Sequence, residues 1–136
     1  MGKKELRQSW RAEPDDHDFQ AAENYLSLTF PPSVSAALVH GLRAATTVHW
    51  QAKDLLRASR LALLHAEDTL VAGHLKKVAR GGQLAPVLLV RGDARVGLPL
   101  TVADGYHRIC ASYHIQEDAE IPCRLTDLPR PGAVTG

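Results

Sequence analysis

The spacing of apolar residues predicts two helices in the first third of the chain. The first would begin with Asp18 as its cap and end before the pair Pro31 and Pro32, which cannot continue it. Its apolar face would consist of Phe19, Ala22, Tyr25 and Leu26. A second helix would begin after Ser33 as its cap, with an apolar stripe of Val34, Ala37, Leu38, Gly41, Leu42 and Ala45. This pattern predicts a helical hairpin over residues 18–45.

Four later segments have the patterns of β-strands. Residues 46–52 are rich in β-branched and aromatic residues, with Val48 and Trp50 on one face. The run PVLLVR from Pro86 is continuously apolar, which is typical of a strand buried on both faces. LPLTVADG and EIPCRLTD have apolar residues at alternate positions, as strands with one buried face do. In the last strand we expect Ile121, Cys123 and Leu125 to face inward, and Glu120, Arg124 and Thr126 to face outward.

Helices are predicted between these strands. A short helical segment covers residues 54–59, and a longer amphipathic helix follows it and stops at Gly81 and Gly82. A last short helix covers residues 105–114. The order helix, helix, strand, helix, strand, strand, helix, strand predicts a small α+β, or mixed α/β, domain with about four strands.

The domain organisation follows from the same patterns. One domain is expected over residues 18–128, made of the helical hairpin and a core over residues 46–128. The polar ends predict a flexible N-terminal arm over residues 1–17 and a flexible tail over residues 129–136.

Composition narrows the possible partners. The chain has 16 Lys and Arg against 15 Asp and Glu, so its net charge does not favour nucleic acid or an anionic membrane. An anionic ligand would therefore need a local cluster of cations. Two cysteines, Cys110 and Cys123, are too few for a disulfide framework, and no apolar run suits a signal sequence or a membrane span. We expect a cytoplasmic protein with no membrane partner.

One turn, within VADGYHRICASYHI, carries most of the candidate chemistry. A strand that ends in Asp-Gly and continues as a helix places the first helical N–H groups, which lack partners inside the helix, at the sheet edge. His107 and Arg108 would lie in the first turn, where the guanidinium adds donors for a phosphate. Asp104 would bond those amides or hold Mg²⁺ beside the phosphate. In the structural alternative, Asp104 is only a cap and Arg108 is a solvated surface group.

The arrangement of these motifs resembles the ParB/sulfiredoxin-like superfamily. GQLAPVLLVRGD, LPLTVADGYHRICASYHI and EIPCRL match its order of helix, glycine, apolar strand, hairpin, Asp-Gly-x-His-Arg turn and last strand. The resemblance covers residues 48–127 and leaves the first 45 residues outside it. It implies a nucleotide ligand, ATP, ADP or CTP, whose phosphates lie on the turn formed by Gly105, Tyr106, His107 and Arg108.

Departures from the family pattern limit what the resemblance implies. Tyr106 stands where sulfiredoxins carry their reactive cysteine, so their redox chemistry is not expected here. ParB partition proteins read Gly-Glu-Arg-Arg and continue into a helix-turn-helix domain, so we do not expect this chain to bind DNA on its own. Members that read Asp-Gly-His-His-Arg include ADP-dependent kinases of free serine, which need an early catalytic glutamate. Asp54 and Glu67 are the candidates for that role.

Residues outside the turn supply further candidates. Arg80, Gly81 and Gly82 would contact the phosphates from the end of the preceding helix, and Lys76 and Lys77 are secondary candidates. A solvated helix end is the alternative for each of them.

A zinc site is a separate possibility. His107, Cys110 and His114 share a helical face, and Cys123 lies on a strand expected beside it, which is a composition that zinc can use. The position of Cys123 between two apolar alternate residues favours a core thiol instead.

We therefore predict a protein that binds a nucleotide di- or triphosphate, with Mg²⁺ as the companion ion. If it is an enzyme, the reaction would be phosphoryl transfer or nucleotide hydrolysis, with Asp104 as the catalytic residue that orients the metal or the nucleophile. The alternative is a non-enzymatic regulatory or DNA-associated interaction module with the same fold. The helical hairpin would cover the sheet or form the surface of a homodimer.

Overall fold

The computed structural model describes residues 8–129. In this part of the chain the elements, in order, are β1 (Ser9–Trp10), α1 (Asp16–Leu26), α2 (Pro32–Ala44), β2 (Val48–Gln51), α3 (Ala52–Ser59), α4 (Thr69–Ala79), β3 (Gln83–Leu84), β4 (Val87–Val90), a 3₁₀ turn (Ala94–Val96), β5 (Thr101–Asp104), α5 (Tyr106–Ile115) and β6 (Glu120–Thr126). The prediction of a mixed α+β domain is confirmed.

Four strands form the main sheet in the order β2-β6-β4-β5. β6 runs antiparallel to β2 and parallel to β4, and β5 runs antiparallel to β4. All four residues of β4 are buried, as its continuous apolar run predicts. β1 and β3 form a separate parallel pair of two residues each. This pair was not predicted, because two residues are too few to show an alternation of apolar and polar positions.

Helices cover both faces of the sheet. On one face α3, α4 and α5 enclose a core that includes Val71, Val87 and Ile109. On the other face the α1–α2 hairpin packs Phe19, Leu38 and Leu42 against the alternate residues of the same strands. The hairpin therefore takes the first of its two predicted roles, which is to cover the sheet.

The helix starts differ from the predicted ones. Asp18 does not cap α1, which begins two residues earlier; its carboxylate accepts the N–H of Asp15 at 2.9 Å from inside the first turn. α2 begins at Pro32 rather than after Ser33, since proline is well suited to the first position of a helix. Tyr25 was expected on the apolar face of α1, but the side chain is exposed.

β6 also differs from its predicted pattern. Arg124 was expected to face outward into water, yet only 5% of it is exposed. The α1–α2 hairpin covers that face of the sheet, so both sets of alternate residues are enclosed there. Because the hairpin is distant in sequence, the residue pattern of β6 alone could not predict that this face would be covered.

Parts of both predicted flexible ends lie outside the described residues, namely residues 1–7 and 130–136. The rest of the predicted arm contains β1 and the connection to α1, where the N–H of Arg11 donates to Leu84 O at 2.8 Å. Within residues 8–129 the helices are all too short or too polar to cross a bilayer.

Candidate functional site

The turn between β5 and α5 has the predicted form. β5 ends at Asp104, Gly105 adopts a left-handed conformation with φ +110°, and α5 begins at Tyr106. A Cβ at Gly105 would lie 2.5 Å from Cγ1 of Val87 and 3.0 Å from Nη2 of Arg108. The sequence predicts this glycine as part of the phosphate-binding turn. The structure shows that the turn itself also requires glycine, both for the backbone angle and for the contact with Val87.

The first turn of α5 has no side-chain cap among the described residues. The N–H of Ile109 closes the first helical bond to Gly105 O at 3.0 Å. The N–H groups that precede Ile109 in the turn are the ones that lack partners inside a helix, and they carry the positive end of its dipole. This end of α5 is therefore able to bind an anion.

Arg108 is buried and bonds the protein's own atoms. Its Nη1 donates to Ala85 O at 2.8 Å and to Pro86 O at 3.3 Å, and its Nη2 donates to Asp104 Oδ2 at 2.6 Å. A second carboxylate, that of Asp18, lies 4.0 Å from Nη1. The guanidinium therefore links β5, α1 and the segment just before β4, and it is not the solvated surface group of the structural alternative.

Asp104 is held by this network. Burial raises the pKa of its carboxyl above the ordinary value, and the nearby Asp18 carboxylate acts in the same direction against the attraction of Arg108. Oδ2 of Asp104 accepts the 2.6 Å bond from Arg108, so the carboxylate already has a cationic partner.

A cavity of about 280 Å³ opens in front of this turn. We call it the turn cavity; its lining residues are Arg11, Asp15, His17, Asp18, His74, Lys77, Leu84, Ala85 and residues 104–108. Three Asp and three Lys or Arg line it together with three His. The formal charges of these Asp, Lys and Arg residues therefore balance.

Most of the fixed charges in the turn cavity are paired. Arg11 donates through both terminal nitrogens to the carboxylate of Asp15, and this bond lowers the pKa of Asp15. Arg108 is paired with Asp104, as described above. Lys77 forms no ion pair within residues 8–129, so it is the cation that a ligand can use without breaking an existing pair.

Two residues of α4 bring charge to the turn cavity. His74 is half-buried, and its pKa is lowered by burial and by the positive charges of Arg108, His107 and Lys77. The sequence predicts Arg80 as a phosphate contact, with Lys77 as a secondary candidate, and it assigns His74 no role in the site. Positions three apart share one face of a helix, so the spacing of His74 and Lys77 is a signal that could have identified both.

Arg80, Gly81 and Gly82 end α4 and do not line the turn cavity. Gly81 has φ +81° and its N–H donates to Val78 O at 2.9 Å, while the N–H of Gly82 donates to Lys77 O at 2.8 Å. These two bonds form a Schellman motif, which satisfies the last carbonyls of the helix. The glycines therefore have a structural role in this geometry.

Tyr106 and His107 both line the turn cavity. Their rings lie 5.5 Å apart between centroids. The Tyr106 hydroxyl donates to Ala62 O, and burial raises its pKa, so this side chain anchors the segment between α3 and α4. His107 has no such partner among the described residues, which leaves its imidazole available to a ligand.

The predicted zinc residues do not form one site. Cys110 and Cys123 are both fully buried, and burial raises the pKa of Cys110 above its ordinary value and that of Cys123 to about 12. His114 lies at the surface, with Nε2 2.6 Å from Leu64 O.

Another group of potential metal ligands borders the turn cavity: Asp15, His17 and Asp18. Of the described residues, it is the cluster whose ligand atoms lie within 4.8 Å of one another. Both oxygens of Asp15 already accept from Arg11, and Asp18 accepts the N–H of Asp15. These acids serve the start of α1, and nothing in their geometry requires an ion.

A scan of protein-family models, a search of curated proteins and a search of solved structures each found no match to this chain. The ParB/sulfiredoxin-like resemblance therefore stays a prediction.

Proposed function

We propose that this chain is a nucleotide-binding protein of ParB/sulfiredoxin-like type and that the turn cavity receives the phosphates of the nucleotide. One observation carries the proposal: the uncapped first turn of α5 opens into a cavity that Lys77 and His107 also line. Backbone N–H groups, a dipole end and an unpaired ammonium together suit a multiply charged oxyanion.

The size of the turn cavity favours phosphates over a whole nucleotide. Pockets that enclose a drug-sized ligand measure about 300–1,000 Å³, whereas this one measures about 280 Å³. In our proposal the phosphates enter the cavity, and the sugar and base lie at its mouth. The identity of the base would then contribute less to affinity than the number of phosphates.

Arg108 and Asp104 act as positioning residues in this proposal. Arg108 holds Asp104 and the segment just before β4 through its three hydrogen bonds, which fixes the turn that presents the amides. The residues present do not suit Mg²⁺ at Asp104, because Arg108 already neutralises this carboxylate through Oδ2, and Asp104 is not part of the cluster of three potential metal ligands found among residues 8–129. We therefore assign Asp104 neither the metal nor a catalytic step, and the proposal concerns binding alone.

One observation favours the alternative, a regulatory or DNA-associated interaction module with the same fold. The donors of Arg108 are directed to protein acceptors, and three carboxylates line the same cavity. A turn used only for structure would have these properties. Nucleotide binding by the unmodified protein is what separates the two functions.

Calorimetry with ATP, ADP, CTP and pyrophosphate, each with and without Mg²⁺, tests the proposal. Lys77→Ala should weaken binding about tenfold or more, the scale of one charge-assisted hydrogen bond of about 1.5–3 kcal/mol. Lys76→Ala is the matched control: it removes the same charge from the neighbouring position, which does not line the turn cavity, and should change affinity by less than about twofold because exposed charges are screened.

Two results would count against the proposal. No heat with any of the four ligands would favour the interaction module. Equal losses in the two lysine variants would show that the general charge of α4, rather than the turn cavity, attracts the anion. The sequence motif predicts that Arg80→Ala loses affinity. The structure predicts no loss, because Arg80 does not line the turn cavity.

A further inference from the structure

A second and larger hollow lies at the opposite end of β4. It has a volume of about 520 Å³ and is formed by α3, the ends of β4 and β6, and the segment that leads into β5. Leu55, Leu89 and Leu125 belong to its apolar lining, Trp50 lines it from β2, and Arg60 lines it from the end of α3. We call it the tryptophan groove. It shares no lining residue with the turn cavity.

Trp50 gives this groove an aromatic surface in contact with water. β2 is an edge strand that pairs only with β6 in the main sheet, and 47% of Trp50 is exposed. A half-exposed tryptophan beside buried leucines offers a flat apolar surface for a ring to pack against. The volume is within the range of small-molecule sites.

The charges around the groove leave one cation without a partner. Arg57 lies 3.5 Å from Asp54, and Arg91 donates to Asp127 at 2.6 Å. The carboxylate of Asp93 is occupied by Arg95, with two contacts of 3.0 Å. Within residues 8–129, Arg60 has no carboxylate within 4.0 Å. The groove therefore suits a ligand with one negative charge.

The backbone of Arg60 is a second and independent observation. Arg60 has φ +61°, and it is the only residue other than glycine with a positive φ in the described part of the chain. It ends α3, a position where glycine adopts this conformation without cost. When a residue other than glycine keeps this left-handed backbone conformation, a role of its side chain is one explanation to look for.

We propose that the tryptophan groove binds a small aromatic carboxylate. The ring of the ligand packs on Trp50 and the leucines, and its carboxylate accepts two hydrogen bonds from the guanidinium of Arg60. This site is independent of the proposed nucleotide site, so either can fail without the other.

Two-dimensional ¹H–¹⁵N NMR of the full chain, titrated with 3-phenylpropionate, tests this inference. The chain has two tryptophans, and Trp50→Phe assigns their indole N–H signals. We expect a saturable shift of the Trp50 signal and none of the Trp10 signal. The neutral 3-phenylpropanamide, which has the same shape without the charge, should bind at least about tenfold more weakly.

Arg60→Gly removes the proposed carboxylate partner and also relieves the left-handed backbone. It should therefore raise the urea midpoint of unfolding while it weakens 3-phenylpropionate binding about tenfold or more. Arg80→Gly is the matched control, since Arg80 also ends a helix but does not line the groove. It should leave the affinity unchanged.

Three results would overturn the inference. The first is the absence of a saturable Trp50 shift, or a shift confined to residues of the turn cavity. The second is equal affinity for the acid and its amide, or no effect of Arg60→Gly. The third is tighter binding of octanoate than of 3-phenylpropionate, which would replace the aromatic ligand with an aliphatic one.

Discussion

Two arginines in different parts of the molecule have nearly the same bonds. Arg108, at the start of α5, donates to the carbonyls of Ala85 and Pro86 and to one carboxylate. Arg124, in β6, donates to the carbonyls of Leu42 and Arg43 at 3.3 and 3.2 Å, to Thr47 Oγ1 at 3.2 Å and to Glu13 at 2.6 Å. Both are almost fully buried. Bonding and burial alone therefore do not distinguish a motif arginine from a structural one.

The surroundings of the two arginines do differ. Arg108 contacts the carboxylates of Asp18 and Asp104, and it lines a cavity together with three histidines and Lys77. Arg124 reaches a carboxylate at the surface, since 74% of the Glu13 side chain is exposed. We conclude that Arg108 belongs to a site because of its neighbours, and that its own donors serve the fold in the way that those of Arg124 do.

Arg108→Ala is the variant with the largest expected effect. It leaves Asp104 and Asp18 close together without their shared cation, and the loss of one partner of a buried pair costs about 3–5 kcal/mol. Urea unfolding should show this loss in the free energy of unfolding. Arg91→Ala, which breaks an exposed pair with Asp127, should cost less than about 1 kcal/mol. A comparable loss in both variants would contradict the structural role of Arg108.

Arg124→Ala should have a smaller effect on the same measurement. The variant leaves carbonyls at the end of α2 without donors, which costs about 1–3 kcal/mol, but Glu13 regains water because it is exposed. If Arg124→Ala destabilised the protein as much as Arg108→Ala, the exposure of the partner carboxylate would not be what separates the two sites.

The elements that could be predicted from sequence are those whose signal is local. The apolar run of β4 and the Asp-Gly turn before α5 both appear where their residue types require them. Gly81 and Gly82 likewise end α4, which follows from the conformational freedom of glycine at a helix end.

The contacts that sequence reasoning missed join distant segments. Arg124 is buried because a helical hairpin about 80 residues earlier covers it, as its bond to Leu42 across 82 positions shows. Arg11 and Asp15 reach the turn cavity from a segment that the composition indicated only as a polar arm. Two of the three bonds of Arg108 go to backbone carbonyls of Ala85 and Pro86. Every residue has such a carbonyl, so residue types could not reveal these bonds.

His74→Gln has the smallest expected effect and tests the electrostatic difference between the two arginines. The lowered pKa of His74 means that the unfolded chain binds its proton more readily than the folded protein does. Its contribution to stability is therefore complete above its ordinary pKa of about 6.5 and is lost as the pH falls through the lower pKa of the folded state. Between pH 7.5 and pH 5.5, wild type should lose more stability than His74→Gln.

Pyrophosphate should reduce this difference. An anion in the turn cavity offsets the positive charges of Arg108, His107 and Lys77, which, after burial, lower the pKa of His74. Urea midpoints at both pH values, with and without saturating pyrophosphate, measure the change, and His40→Gln is the control because His40 does not line the cavity. If pyrophosphate stabilises wild type and His74→Gln equally at each pH, His74 does not face the bound anion. The charge environment that distinguishes Arg108 from Arg124 would then lack a functional consequence.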